Sequence, residues 1–138
     1  MKMALLLFAA AAALAALAAT PAASSTYKPF HTPSHKLRCA YFKDSSSTSL
    51  RCDASYRIKP IGERTCTEGD FGASVAMSAK GRAHGICVSD AINPGFSAHY
   101  GHTYHLGPFT CTSLTSGLRC RNAKGHGWFL STARQQLF

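Results

Sequence analysis

The sequence predicts an all-β domain, a small antiparallel sandwich or barrel of about eight short strands, stapled by three disulfides. Three observations lead there. Apolar and polar residues alternate with a period of two in window after window, the spacing that turns successive side chains to opposite faces of a sheet. Turn residues punctuate these windows at short intervals, and beyond an alanine-rich leader no window has the 3.6-residue period of an amphipathic helix. All six cysteines, an even number, follow that leader.

Residues 1–23 read as a signal peptide. Lys2 supplies the positive start, and Ala4 to Ala19 is apolar, with Leu5, Leu6, Leu7, Phe8, Leu14 and Leu17. Small residues offer cleavage after Ala18 or Ala22. The apolar run, about 16 residues, is shorter than the roughly 20 that cross a bilayer, so removal is favoured over anchoring. No cysteine stands at the cleavage region to carry lipid, and no second long apolar run follows. The mature chain is therefore expected to be secreted, extracellular or associated with the cell envelope. Residues 24–35, rich in Ser, Thr, Pro and His, read as an extended leader, and residues 36–138 as one disulfide-closed β domain.

A domain of this size buries only about two-thirds of its unfolded surface, so covalent closure supplements a modest core. Pairing nearest in sequence, Cys39–Cys52, Cys66–Cys87 and Cys111–Cys120, is favoured because two of these pairs fall in hairpins. Each bridge is expected to contribute about 2–4 kcal/mol. Zinc ligation is disfavoured, since no C-x-x-C occurs and export implies an oxidising compartment. No cofactor is expected.

The strands follow in order. Lys36 to Tyr41 alternates, with Leu37, Cys39 and Tyr41 on one face. After the polar loop Asp44-Ser45-Ser46-Ser47, Leu50 to Ala54 alternates again and completes a hairpin. Ile58 to Asp70 is irregular, broken by Pro60, Gly62 and Gly69. Ala73 to Ala79 and Arg82 to Val88 form two further strands around the turn Lys80-Gly81, and Asn93-Pro94-Gly95 marks a loop. Ala98 to Leu106, rich in Tyr, His and Thr, reads as an aromatic strand ended by Gly107-Pro108. Phe109 to Ser113 and Gly117 to Asn122 form a second cysteine-bearing hairpin, and Gly125-His126-Gly127 leads into the last strand at Trp128-Phe129-Leu130.

Leu-Arg-Cys occurs three times, at 37–39, 50–52 and 118–120. If Leu and Cys share the inner face, Arg38, Arg51, Arg119 and Arg121 point outward from rigid strands, and a guanidinium held in place suits oxyanion recognition. The formal net charge of +9, about +8 once Lys2 leaves with the leader, points the same way, toward polyanions. Anionic envelope polymers or an extracellular protein are the favoured partners, and nucleic acid is less favoured. His126, between two glycines, is a further binding candidate. His99, His102 and His105 alternate in direction along a strand and so do not converge on a metal. The carboxylates Asp44, Asp53, Glu63, Glu68, Asp70 and Asp90 show no paired spacing of the kind glycoside hydrolysis needs. No G-x-S-x-G occurs, and pairing consumes every thiol.

The stretch Gly107-Pro108-Phe109-Thr110-Cys111, Gly117-Leu118-Arg119-Cys120-Arg121-Asn122 and Gly125-His126-Gly127-Trp128-Phe129-Leu130-Ser131 resembles a family of small secreted bacterial proteins known as a domain of unknown function. That family's members tend to begin Phe-x-Ser-Pro-Ser-Gly-Asn-Ile-x-Cys, which Phe30 to Cys39 resembles, with His35-Lys36 where the pattern has Gly-Asn. Arg51-Cys52-Asp53, Pro60, Asp70-Phe71-Gly72 and Tyr100-Gly101 also fit. The resemblance implies an exported, disulfide-closed domain and carries no activity with it. The leading expectation is a non-enzymatic basic binding module. An inhibitor of a hydrolase such as lysozyme or a protease is the second, since a rigid domain loses little order on binding. A small hydrolase using His126 is the third.

Overall fold

The computed structural model describes residues 17–138. Residues 1–16, most of the signal peptide read from the sequence, lie outside the described residues. Residues 17–25, which include both cleavage positions, are exposed and lack secondary structure. No helix among the described residues is long and apolar enough to cross a membrane.

Eleven strands and one 3-10 turn make up the fold: β1 (Thr26–His31), β2 (Leu37–Lys43), β3 (Thr48–Ala54), the turn Lys59–Ile61, β4 (Ser74–Ser78), β5 (His84–Gly85), β6 (Phe96–Ser97), β7 (Thr103–Leu106), β8 (Phe109–Leu114), β9 (Gly117–Arg121), β10 (Gly127–Leu130) and β11 (Gln135–Leu137). They form a sandwich of two sheets. The first has six strands in the order β5-β4-β3-β2-β1-β6, the second five in the order β11-β10-β9-β8-β7. The second sheet is a plain meander, each strand pairing with the next in the chain.

The first sheet departs from the expected pattern in two places. β6 pairs with β1 in parallel, Phe30 with Phe96 and His31 with Ser97. Residues 26–31, read from the sequence as part of an extended leader, form β1 and pair along their whole length with β2. The Ser, Thr, Pro and His content hides this strand, because Phe30 alone supplies its large inward side chain, and Phe30 is fully buried. Pro29 is tolerated because β6 covers only the last two residues of β1, leaving the proline on an otherwise open edge. The aromatic strand expected over 98–106 also shortens, to β7. Gly101, at φ 83°, makes a turn of the residues before it.

The repeated tripeptide builds the core. Leu37, Leu50 and Leu118 are buried, as are Cys39, Cys52 and Cys120. In the ladders Cys39 lies directly opposite Cys52, and Cys111 directly opposite Cys120. The Cα atoms of these pairs are 4.0 and 4.1 Å apart, and both pairs are bonded. One cystine thus enters the core from each sheet, among Phe30, Met77, Phe109, Trp128 and Leu130. Tyr41 of the first sheet meets Phe109 of the second edge to face, with ring centroids 6.0 Å apart. The third disulfide, Cys66–Cys87, ties the irregular segment before β4 to the residues after β5.

Asn122, just past β9, clasps the two layers. Its Nδ2 donates to the carbonyls of Ser78 (3.0 Å) and Gly81 (2.8 Å) at the β4–β5 turn, while its Oδ1 accepts from the amides of Lys124 (3.0 Å) and His126 (3.1 Å). Both donors and the acceptor of a fully buried amide are therefore satisfied.

Candidate functional site

All four arginines singled out by the repeat point outward, but they do not form one surface. Arg38 and Arg51 stand on β2 and β3, on the outer face of the first sheet; Arg119 and Arg121 stand on β9, on the outer face of the second. A sandwich turns these faces away from each other. The direction of each side chain follows from strand alternation, whereas its sheet depends on pairings between distant parts of the chain.

Arg51 is also committed. Its Nε and Nη2 grip the two oxygens of Asp53 at 2.8 and 2.7 Å. Its Nη1 reaches Asp90 Oδ1 at 2.9 Å, and Nη2 also donates to the Asp90 carbonyl at 2.9 Å. These bonds fasten the segment between β5 and β6 across the outer face of the first sheet. Ile92, in that segment, is buried beside Ala40 and Phe42, and the His31 ring meets the Pro94 carbonyl at 2.8 Å. The hydrogen bond from Arg51, helped by its charge, holds the Asp90 carboxyl below the usual carboxylate range. Arg38 is exposed and lies opposite Asp53 in one ladder and His31 in the other.

The second sheet is arranged differently. All six side-chain carboxylates of the protein fall between residues 44 and 90, so residues 91–138 carry cations and no acidic side chain. Arg119 lies between Phe129 and Thr112 across the ladders, and Arg121 between Gly127 and Thr110. Beyond them Thr112 pairs with Thr103, hydroxyl to hydroxyl at 3.0 Å, and Thr110 pairs with His105. The Arg119 guanidinium lies 4.4 Å over the ring of Phe138, and that of Arg134 lies 5.1 Å over Phe129. An arginine lying flat on an aromatic face keeps the donors around its edge free for a ligand. Neither Arg119 nor Arg121 is ion-paired among the described residues.

His126 is half-buried, and its hydrogen bonds run through its backbone: its amide goes to Asn122 Oδ1, and its carbonyl accepts from the Asn122 amide at 2.8 Å. The flanking glycines have local explanations. Gly125 sits at φ 82° in the turn, and a Cβ on Gly127 would stand 1.9 Å from the Cys120 carbonyl oxygen. The glycine–histidine–glycine motif is thus the β9–β10 turn that Asn122 organises. His99 and His102 lie in the turn before β7, their rings 6.2 Å apart, while His105 is on the strand against Thr110.

A third feature was missed from the sequence. At one end of the sandwich, the turns β1–β2, β8–β9 and β10–β11 meet around a cavity of about 200 Å³. It is reached by Lys36, Tyr56, Tyr100 and Ser131, residues far apart in the chain. The β1–β2 turn on its wall is fixed by Thr32, whose amide and hydroxyl both meet Leu37 backbone groups. His35 in that turn has φ 58°, unique among the described non-glycine residues, and its ring stacks on His31 with centroids 4.5 Å apart.

These features define a β-sandwich closed by three disulfides, with charge segregated between its faces. The chain matches the Family of unknown function (DUF6636) over residues 3–138 and belongs to that family. No curated protein and no solved structure matches it. The left-handed backbone of His35 is the conformation that favours glycine.

Proposed function

We propose that this protein is an extracytoplasmic binding module that holds an anionic polymer against the outer face of its second sheet. One observation carries the reading. Arg119 and Arg121 project from a single strand and form no ion pair among the described residues, no acidic side chain occurs in residues 91–138, which contain this sheet, and threonine hydroxyls from β7 and β8 continue their rows. Cations that have no ion-pair partner among the described residues are available to an anion outside the protein, and the sheet keeps their spacing fixed. Of the sequence candidates, Arg119 and Arg121 form the centre of this face, with Arg134 beside them, while Arg51 serves to fasten the segment between β5 and β6. Three disulfides favour an oxidising compartment, where anionic wall polymers and acidic glycans are the abundant ligands of this charge.

The test is retention on an immobilised anionic wall polymer at low salt. Replacing Arg119 and Arg121 together by Glu is expected to weaken retention at least about ten-fold, while Arg38→Glu, on the opposite face, leaves most of it. Retention of the parent protein should also fall steeply with added salt. A double variant that elutes with the parent at every salt concentration would refute the assignment.

A further inference from the structure

The end cavity carries a separate inference, independent of the arginine face, since none of the arginines lines it. Eight of its fourteen lining residues bear a hydroxyl, one is a lysine and none is acidic. The remainder are largely leucines, of which Leu37, Leu118 and Leu130 are buried and form an apolar floor. On the rim Tyr100 is 41% exposed. Tyr56 contributes a further feature. Its hydroxyl is buried and has no hydrogen-bond partner. Buried tyrosine hydroxyls ordinarily find one, because an unmade bond leaves the cost of desolvation uncompensated. Burial pushes the phenol up to about 12, so the group stays neutral and can both donate and accept.

We infer that this cavity binds a single sugar ring bearing a carboxylate, with the Tyr56 hydroxyl bonding a ring hydroxyl and Lys36 meeting the acid. The wall of hydroxyls matches the donors and acceptors around a pyranose. The leucine floor and the Tyr100 ring suit its C–H face. A lone ammonium with no neighbouring carboxylate selects an acidic sugar over a neutral one. The volume lies below the range of about 300–1,000 Å³ typical of drug-sized ligands, which suits one ring and not an oligomer. Three turns from two sheets make the walls, the usual place for recognition on a sandwich scaffold.

The experiment is an NMR titration of the labelled, disulfide-intact protein with glucuronate and, separately, glucose. Glucuronate is expected to shift the amides of Lys36, Gly117 and Ser131 saturably, and to bind more tightly than glucose. Tyr56→Phe removes only the unpartnered hydroxyl, so the variant should fold with equal or greater stability and bind glucuronate about five-fold more weakly. Lys36→Gln should erase the preference for glucuronate. Three results would overturn the inference: no saturable shift at these amides with either sugar, equal affinity for the two sugars in the parent, or a Tyr56→Phe variant that binds like the parent, its hydroxyl then making no bond to the sugar. Retention on the anionic polymer is a separate readout, and its survival in any of these cases would leave the second-sheet face standing.

Discussion

The same tripeptide serves opposite ends in the two sheets. In the first, the arginine of Leu50-Arg51-Cys52 is enclosed by Asp53 and Asp90 and fastens a crossing segment to the sheet. In the second, the arginine of Leu118-Arg119-Cys120 lies on Phe138 and forms no ion pair among the described residues. Leu and Cys do the same work in both, filling the core and closing a hairpin. What separates the arginines is the distribution of carboxylates along the chain, which places every acid at or before residue 90. Arg51, gripped by two acids, is consumed by the fold, and Arg119, which forms no ion pair among the described residues, is left for something outside it. Outward orientation alone therefore does not define a binding residue.

The sharpest break of this contrast is to undo the clasp that holds the two sheets in register. Asn122→Ala removes four hydrogen bonds and leaves buried carbonyls and amides unpaired. It is expected to cost about 3–4 kcal/mol, read from the midpoint of urea unfolding with the disulfides intact. A loss under about 1 kcal/mol would mean that core packing alone joins the layers. A middle-sized effect tests the arginines against each other. Arg51→Ala should destabilise by about 1–2 kcal/mol, since it strands Asp53 and frees the crossing segment. Arg119→Ala should stay within about 0.5 kcal/mol. Equal losses would erase the distinction between a structural and an available arginine.

The smallest effect is in pH. The folded carboxyl of Asp90 titrates lower than it would in an unfolded chain, so its contribution is present above the ordinary carboxylate pKa and is lost as pH falls through the lowered folded value. Below about pH 4, the Ala98 amide, which bonds the His31 carbonyl just past this segment, should lose protection against exchange before the amides of β9 and β10. Protection lost uniformly across both sheets would show that Asp90 does not hold the segment.

Much of the framework was legible in the sequence. Alternation in Leu37-Arg38-Cys39 and Leu118-Arg119-Cys120 marked which side chains enter the core, and pairing by proximity anticipated all three bridges, two of them because hairpins place neighbouring cysteines opposite each other. β1 was not legible, since a single phenylalanine among prolines, threonines and histidines leaves no period to detect. The Arg51–Asp90 bond spans 39 residues, and the Asn122 bonds to Ser78 and Gly81 span 44 and 41. Local pattern holds no record of contacts so distant. The end cavity escaped for the same reason, its hydroxyls being scattered over several turns. Asn122 did leave one trace, standing three residues before Gly125-His126-Gly127, the motif whose turn its side-chain amide shapes.

Every disulfide closes within its own neighbourhood, its partners 13, 21 and 9 positions apart in sequence, and none runs from one layer to the other. Cys87 is the last cysteine before the exposed residues Asn93, Pro94 and Gly95, and Cys111 the first after them. A single peptide bond cut there would leave no covalent link between the two halves. One fragment would keep two cystines and the other one, each with its hairpin preformed. The nicked protein would then behave as a heterodimer whose dissociation constant reports directly on the noncovalent strength of the seam, and the halves could be made apart and recombined.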